Sequence, residues 1–226
     1  MNAKFYNREK EISELKTILA NIPNAVYFVY GPINSGKTSL LMKVLNELPE
    51  EMIYFYINFR GKNIDTSGDF LNLLFNIDRK SSLENAKEYF NEFAKSGSEI
   101  LKKYTGIPVP LKIFDMLFRA KDKGEDAFSY LEDFFMFLYE EKKKRPVLVL
   151  DELQMIKEIA NASGRPLLEK IFNFMVRMTK ETHACHCLAA TSDSLFIEEI
   201  YGDAKLKGRS RFFLVDDLDK KKAVEI

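Results

Sequence analysis

The chain has 226 residues, enough for one large α/β domain, and its 46% hydrophobic residues can fill a core. Thirty-four Lys and Arg against 34 Asp and Glu give zero net charge, which removes any global electrostatic case for nucleic acid or a membrane surface as a partner. No segment approaches the ~20 apolar residues of a membrane span, and the stretch Met1–Arg8 lacks an apolar signal core, so the reading is a cytoplasmic protein with no membrane partner.

The first helix is expected over 7–20, with Ile12, Leu15, Ile18 and Leu19 on one face and Asn7 as its cap. Ala25–Tyr30 is apolar, aromatic and β-branched and reads as a buried strand. A glycine-containing loop follows, then a helix to about Leu48 and a second strand over 51–58. From Gly61 to Lys144 no further strand is legible. Short helices are expected around Phe70–Phe75 and over 86–103, Pro108 and Pro110 punctuate the stretch, and Phe128, Leu131, Phe134, Phe135 and Leu138 mark an amphipathic helix with a basic end.

Pro146–Leu150 is wholly apolar, as in parallel strands covered on both faces, and ends in Asp151-Glu152. Pro166 suits the first turn of a helix reaching about Thr182, and strands are expected over 186–192 and 211–215. Strands alternating with helices predict a five-stranded parallel sheet with helices on both faces, interrupted by a helical insertion over about 61–145. Cys185 and Cys187 are the only cysteines and lie beside His183 and His186, but no second ligand cluster accompanies them, so strand packing is preferred to a metal site.

The loop between first strand and second helix, Gly31-Pro32-Ile33-Asn34-Ser35-Gly36-Lys37-Thr38, fits G-x-x-x-x-G-K-[ST]. Backbone N–H groups of this loop, Pro32 excepted, and of Ser39, at a helix N-terminus, are suited to wrapping a triphosphate. Lys37 is expected to reach the β- and γ-phosphates and Thr38 to place its hydroxyl on Mg2+. Asp151, at a strand C-terminus, is the natural second metal anchor. Glu152 beside it is read as the group that orients and deprotonates an attacking water, which favours hydrolysis over transfer to a small acceptor. Thr191 or Ser192, ending the fourth strand, is either a γ-phosphate sensor or a plain strand end.

Phe5–Glu11, Gly31–Thr38, Ile57–Arg60, Val149–Gln154 and Leu206–Arg209 occur in that order. Together they resemble the archaeal ATPase family, in the STAND branch of P-loop NTPases and related to AAA+ proteins. The resemblance implies an ATP/ADP-binding, Mg2+-dependent ATPase domain over 1–215 and the start of a helical lid over 216–226. It places Phe5 and Arg8 near the adenine, and makes Arg209 a γ-phosphate sensor or arginine finger. The role implied is a nucleotide-controlled switch or motor, with slow turnover in the chain as it stands. A protein partner would engage the insertion, and nucleic acid would be met only through a further C-terminal domain. A DNA-directed ATPase, a non-catalytic nucleotide-binding module and, last, a small-molecule kinase are the rival readings. The chain departs from the family pattern at Ala190-Thr-Ser-Asp193, where a Gly-Ser or Ser-Gly pair is usual.

Overall fold

The computed structural model describes residues 8–62, 64, 66–74, 127–156, 165–204 and 206–217. In chain order these form α1 (Glu9–Ala20), β1 (Val26–Tyr30), α2 (Lys37–Leu45), β2 (Met52–Asn58), α3 (Ser67–Leu74), α4 (Ala127–Glu140), β3 (Arg145–Asp151), α5 (Arg165–Val176) with a π-helical turn (Arg177–Glu181), β4 (His186–Thr191), α6 (Ser194–Gly202) and β5 (Ser210–Leu214). The expected cap Asn7, the helix over 86–103, the prolines at 108 and 110, and the lid from 218 onward lie outside the described residues. At the start of α1 the capping position belongs to Arg8, whose side chain makes no capping hydrogen bond.

All pairings in the sheet are parallel, in the order β2-β3-β4-β1-β5. The physical cause is visible in β3, whose residues from Pro146 to Asp151 are all buried. Leu148 and Leu150 enter one core and Val147 and Val149 the other, so the strand needs helices on both faces. α1 and α2 cover one face through Leu15, Leu19, Leu40, Leu41 and Val44. α3, α4, α5 and α6 cover the other. There an aromatic chain runs Phe59–Phe70–Phe128–Phe174–Phe135–Phe55, with successive ring centroids 5.0–6.4 Å apart. Phe70, Phe128, Phe134 and Phe135 of the expected insertion are therefore core residues, and the aromatics from Phe75 to Phe118 lie outside the described residues.

Parallel strands bring their C-terminal ends to one edge of the sheet. Register pairs Tyr30 with Thr191 and Asn58 with Asp151, so the glycine loop, the acidic pair and the polar end of β4 share that edge. β4 lies between the loop strand and the acidic strand.

His186 opens β4 at the opposite edge and is buried. Burial, reinforced by the nearby Arg145 charge, holds its imidazole at about 4, below the ordinary 6.5. The unfolded chain takes up a proton between those values that the folded chain refuses. Stability present above pH 6.5 is therefore lost as pH falls toward 4, by roughly 2–3 kcal/mol. Denaturant unfolding at about pH 7 and about pH 4.5 should show this loss, and His186→Asn should remove that part of it.

Candidate functional site

The glycine loop leaves β1 sharply. Gly31 has φ +155°, Asn34 +66° and Gly36 +88°, the last at the capping position of α2. Ser35 N–H donates to the Pro32 carbonyl at 3.2 Å, and Leu40 N–H to the Gly36 carbonyl at 2.8 Å starts the helical ladder. Pro32, Ile33 and Asn34 form an exposed tip, whereas Ser35 and Lys37 are buried. Lys37 Nζ turns back into the loop, donating to the Gly31 and Pro32 carbonyls at 3.0 and 2.7 Å and lying 3.4 Å from Ser35 Oγ. Burial pushes the Lys37 ammonium pKa down, against the opposing charges of Glu152, Asp151 and Asp217.

From α2, the Thr38 hydroxyl donates to Asp151 Oδ2 at 2.6 Å, joining the loop to β3. The same carboxylate oxygen accepts from Tyr56 at 2.7 Å, and its partner Oδ1 accepts from the Glu152 N–H at 3.0 Å. Burial and then the Asp151 hydrogen bond push the Tyr56 phenol pKa far up, so it stays a donor. The chain turns off the strand at Glu152, which has φ +57°, and Leu153 N–H reaches the Ala190 carbonyl at 3.0 Å. Glu152 Oε2 accepts from Gln154 Nε2 at 2.6 Å, and Oε1 is paired with Arg60. Gln154 Nε2 also lies 3.4 Å from Ser192 Oγ, while Thr191 Oγ1 accepts from Asp193 N–H at 3.1 Å.

The two arginines expected at the nucleotide are placed differently: Arg8 lies against the glycine loop, and Arg209 lies at the other edge of the sheet. Arg8 is buried, and its guanidinium is used on the Ser35 carbonyl at 2.8 Å, the Asp216 carbonyl at 2.5 Å and Glu11 Oε1 at 2.7 Å. It grips the loop backbone at Ser35 and ties it to the chain beyond β5 at Asp216. Arg209 precedes β5, and its carbonyl accepts from Val26 N–H at the start of β1. Register Val26↔Ser210 thus puts it at the far edge of the sheet, a strand length of about 16 Å from Gly31. A γ-phosphate sensor in this chain's own site is not supported there. Phe5 lies outside the described residues. Reading the sequence assigned no role to Tyr56, Arg60 or Gln154. Tyr56 lies two residues before Asn58 in an alternating strand, and the other two lie inside the Ile57–Arg60 and Val149–Gln154 segments.

The donor set suits Mg2+: a hydroxyl and a carboxylate already in contact, both hard oxygen ligands, beside a phosphate-type loop. Thr38 and Asp151 would hold the ion. Among the described residues no group of three or more His, Cys, Asp or Glu could hold a metal, and no helix is long and apolar enough to cross a membrane.

Residues 5–226 match the family described as ATPase domains predominantly from Archaea. An uncharacterized ATP-binding protein of Methanocaldococcus jannaschii is 46% identical over 230 residues, covering 98% of this chain and 63% of that protein. Another, of Pyrococcus abyssi, is 42% identical over 222 residues, covering 97% of this chain and 63% of that protein. The chain therefore spans about three fifths of the length of the curated relatives it matches. Among solved structures, the Walker-type ATPase of Pyrococcus abyssi superposes with a TM-score of 0.64 at 20% identity, over 98% of this chain and 56% of that one. The Aeropyrum pernix ORC2 protein in its ADPNP–ADP complexes gives 0.61 at 15% identity, over 97% of this chain and 50% of that one. These two likenesses concern the fold.

Proposed function

Since the chain belongs to the family of ATPase domains found predominantly in Archaea, we propose that it binds ATP with Mg2+, hydrolyses it, and serves as a nucleotide-controlled switch or motor. The observation that carries this reading is the 2.6 Å contact of Thr38 with Asp151, which brings the phosphate loop and the acidic strand end into one site. The names of the relatives as ATP-binding proteins support ATP as the nucleotide.

In this reading the loop amides and the Lys37 ammonium hold the β- and γ-phosphates. The ammonium exchanges its bonds to the Gly31 and Pro32 carbonyls for phosphate oxygens. Mg2+ supplies charge neutralisation of the phosphates when held by Thr38 and Asp151. Glu152 orients the attacking water and accepts its proton. A carboxylate offers about four lone-pair sites, so the bonds from Gln154 and Arg60 leave room for water. Ser192, linked to Gln154, is the better placed of the two sensor candidates, because Thr191 is buried and caps the turn.

Calorimetric titration of the chain with ATP and GTP, with Mg2+ and with EDTA, together with phosphate release, tests the proposal. The expected result is ATP binding in the micromolar range, strengthened by Mg2+ and weaker for GTP, with slow phosphate release. No ATP binding under any condition would overturn it. Duplex DNA added to the same assay separates the DNA-directed rival, which requires stimulation.

A further inference from the structure

Asp151 Oδ2 is more heavily solvated by the protein than a strand-end carboxylate needs to be. It accepts from Thr38 at 2.6 Å and Tyr56 at 2.7 Å, and Asn58 Nδ2 lies 3.5 Å away. Only Thr38 belongs to the phosphate loop; the other two come from β2, the edge strand next to β3.

The polarity of this arrangement is fixed by one backbone group. The Arg60 N–H donates to Asn58 Oδ1 at 2.8 Å, so the Asn58 amide nitrogen faces the other way. That nitrogen lies 3.4 Å from the Tyr56 hydroxyl oxygen and donates to it. The single phenolic hydrogen is then left for Asp151. The result is a one-way relay, Arg60 N–H to Asn58, Asn58 to Tyr56, Tyr56 to the carboxylate, in which each bond polarises the next. The ring is also pinned. β2 alternates, placing Met52, Tyr54 and Tyr56 against the α1/α2 core and Ile53, Phe55 and Ile57 in the other. Tyr56 pairs in register with Val149, two residues before Asp151, so its hydroxyl reaches along the strand to the carboxylate.

We propose that Tyr56 is a positioning residue that sets the Mg2+ affinity of the site by holding the Asp151 carboxylate in line with the Thr38 hydroxyl. Thr38 can turn to the metal when nucleotide arrives, while the phenol keeps the carboxylate from rotating away. Partners of this outer kind typically govern metal affinity by tenfold or more. The inference rests on the reading of Thr38 and Asp151 as the metal ligands.

The test uses the whole chain and a non-hydrolysable ATP analogue. Analogue affinity is measured in EDTA and across a Mg2+ titration, for wild type, Tyr56→Phe and Asp151→Asn. Tyr56→Phe keeps the ring and the core contacts and removes only the hydroxyl. The expected result is about tenfold weaker Mg2+ coupling in Tyr56→Phe, with metal-free analogue affinity and melting temperature close to wild type. Weakened coupling in Asp151→Asn but wild-type coupling in Tyr56→Phe would overturn the inference and leave the site reading standing. A fall in metal-free affinity equal to the fall in coupling would also overturn it, because the hydroxyl would then be holding the loop as a whole. Unchanged coupling in both variants would overturn the site reading itself, and the inference with it.

Discussion

Glu152→Gln should lower the maximal rate of phosphate release by about 10²–10⁴-fold, the range of a positioned general base, and leave ATP affinity within a few-fold of wild type. The side chain is held by geometry that the substitution preserves. Its backbone sits at φ +57°, tied by the Glu152 N–H to Asp151 Oδ1 and by the next N–H to the Ala190 carbonyl. Glutamine keeps one oxygen, which can go on accepting from Gln154, inside the site. The bond then lost is the one to Arg60, whose side chain is 70% exposed, and an exposed ion pair is worth ~1 kcal/mol or less. The variant therefore folds and binds but cannot take a proton from water. Phosphate release at saturating ATP, paired with titration of the analogue, reads both halves. A wild-type rate in the variant would move the reading to a non-catalytic nucleotide-binding module.

What could be read in advance follows from how local each feature is. β1, the loop and α2 are contiguous, so apolar run, glycines and helical spacing appear side by side and the structure places them as expected. β3 announces itself because the five residues Pro146–Leu150 before Asp151 are all apolar. Asp151 and Glu152 are adjacent, yet their different surroundings come from a left-handed residue at 152, which a glutamate does not advertise. Arg8 bonds carbonyls 27 and 208 residues away, and nothing in the sequence announces either contact. Arg209 shows the converse. The family resemblance implied a phosphate contact, but in a parallel sheet a residue before a strand lies at the edge away from the loop, and only the β1–β5 register reveals this. Tyr56 was hidden because a tyrosine in an alternating strand reads as packing until the β2–β3 pairing places it beside Asp151. The long-range contacts that complete the site are those that strand order creates.

The two glycines of the loop separate steric from conformational demands, and Gly31→Ala is expected to be the more damaging by a wide margin. A Cβ on Gly31 would lie 2.0 Å from the Val215 carbonyl oxygen and 2.9 Å from its carbon, on a backbone at φ +155°. The obstruction is main chain and cannot swing aside. The Val215 N–H is bonded to the Tyr30 carbonyl at 2.8 Å, and the Asp216 carbonyl accepts from buried Arg8, which also holds the Ser35 carbonyl of the loop. Relief requires either the end of β5 to lift, breaking these bonds, or the loop to move off its strand. Strain of ~1–3 kcal/mol for the backbone and ~1–3 kcal/mol for overpacking puts the loss near 4 kcal/mol. A cradle displaced from its strand should also lose ATP binding. Gly36 is the control: its φ of +88° disfavours alanine, but nothing lies within 4 Å of an added Cβ. Gly36→Ala should therefore cost only the ~1–2 kcal/mol of a left-handed L-residue. Denaturant midpoints of the two variants measure the difference, and a Gly31→Ala protein as stable as Gly36→Ala would show that the close approach of Val215 is not what demands glycine at the start of the loop.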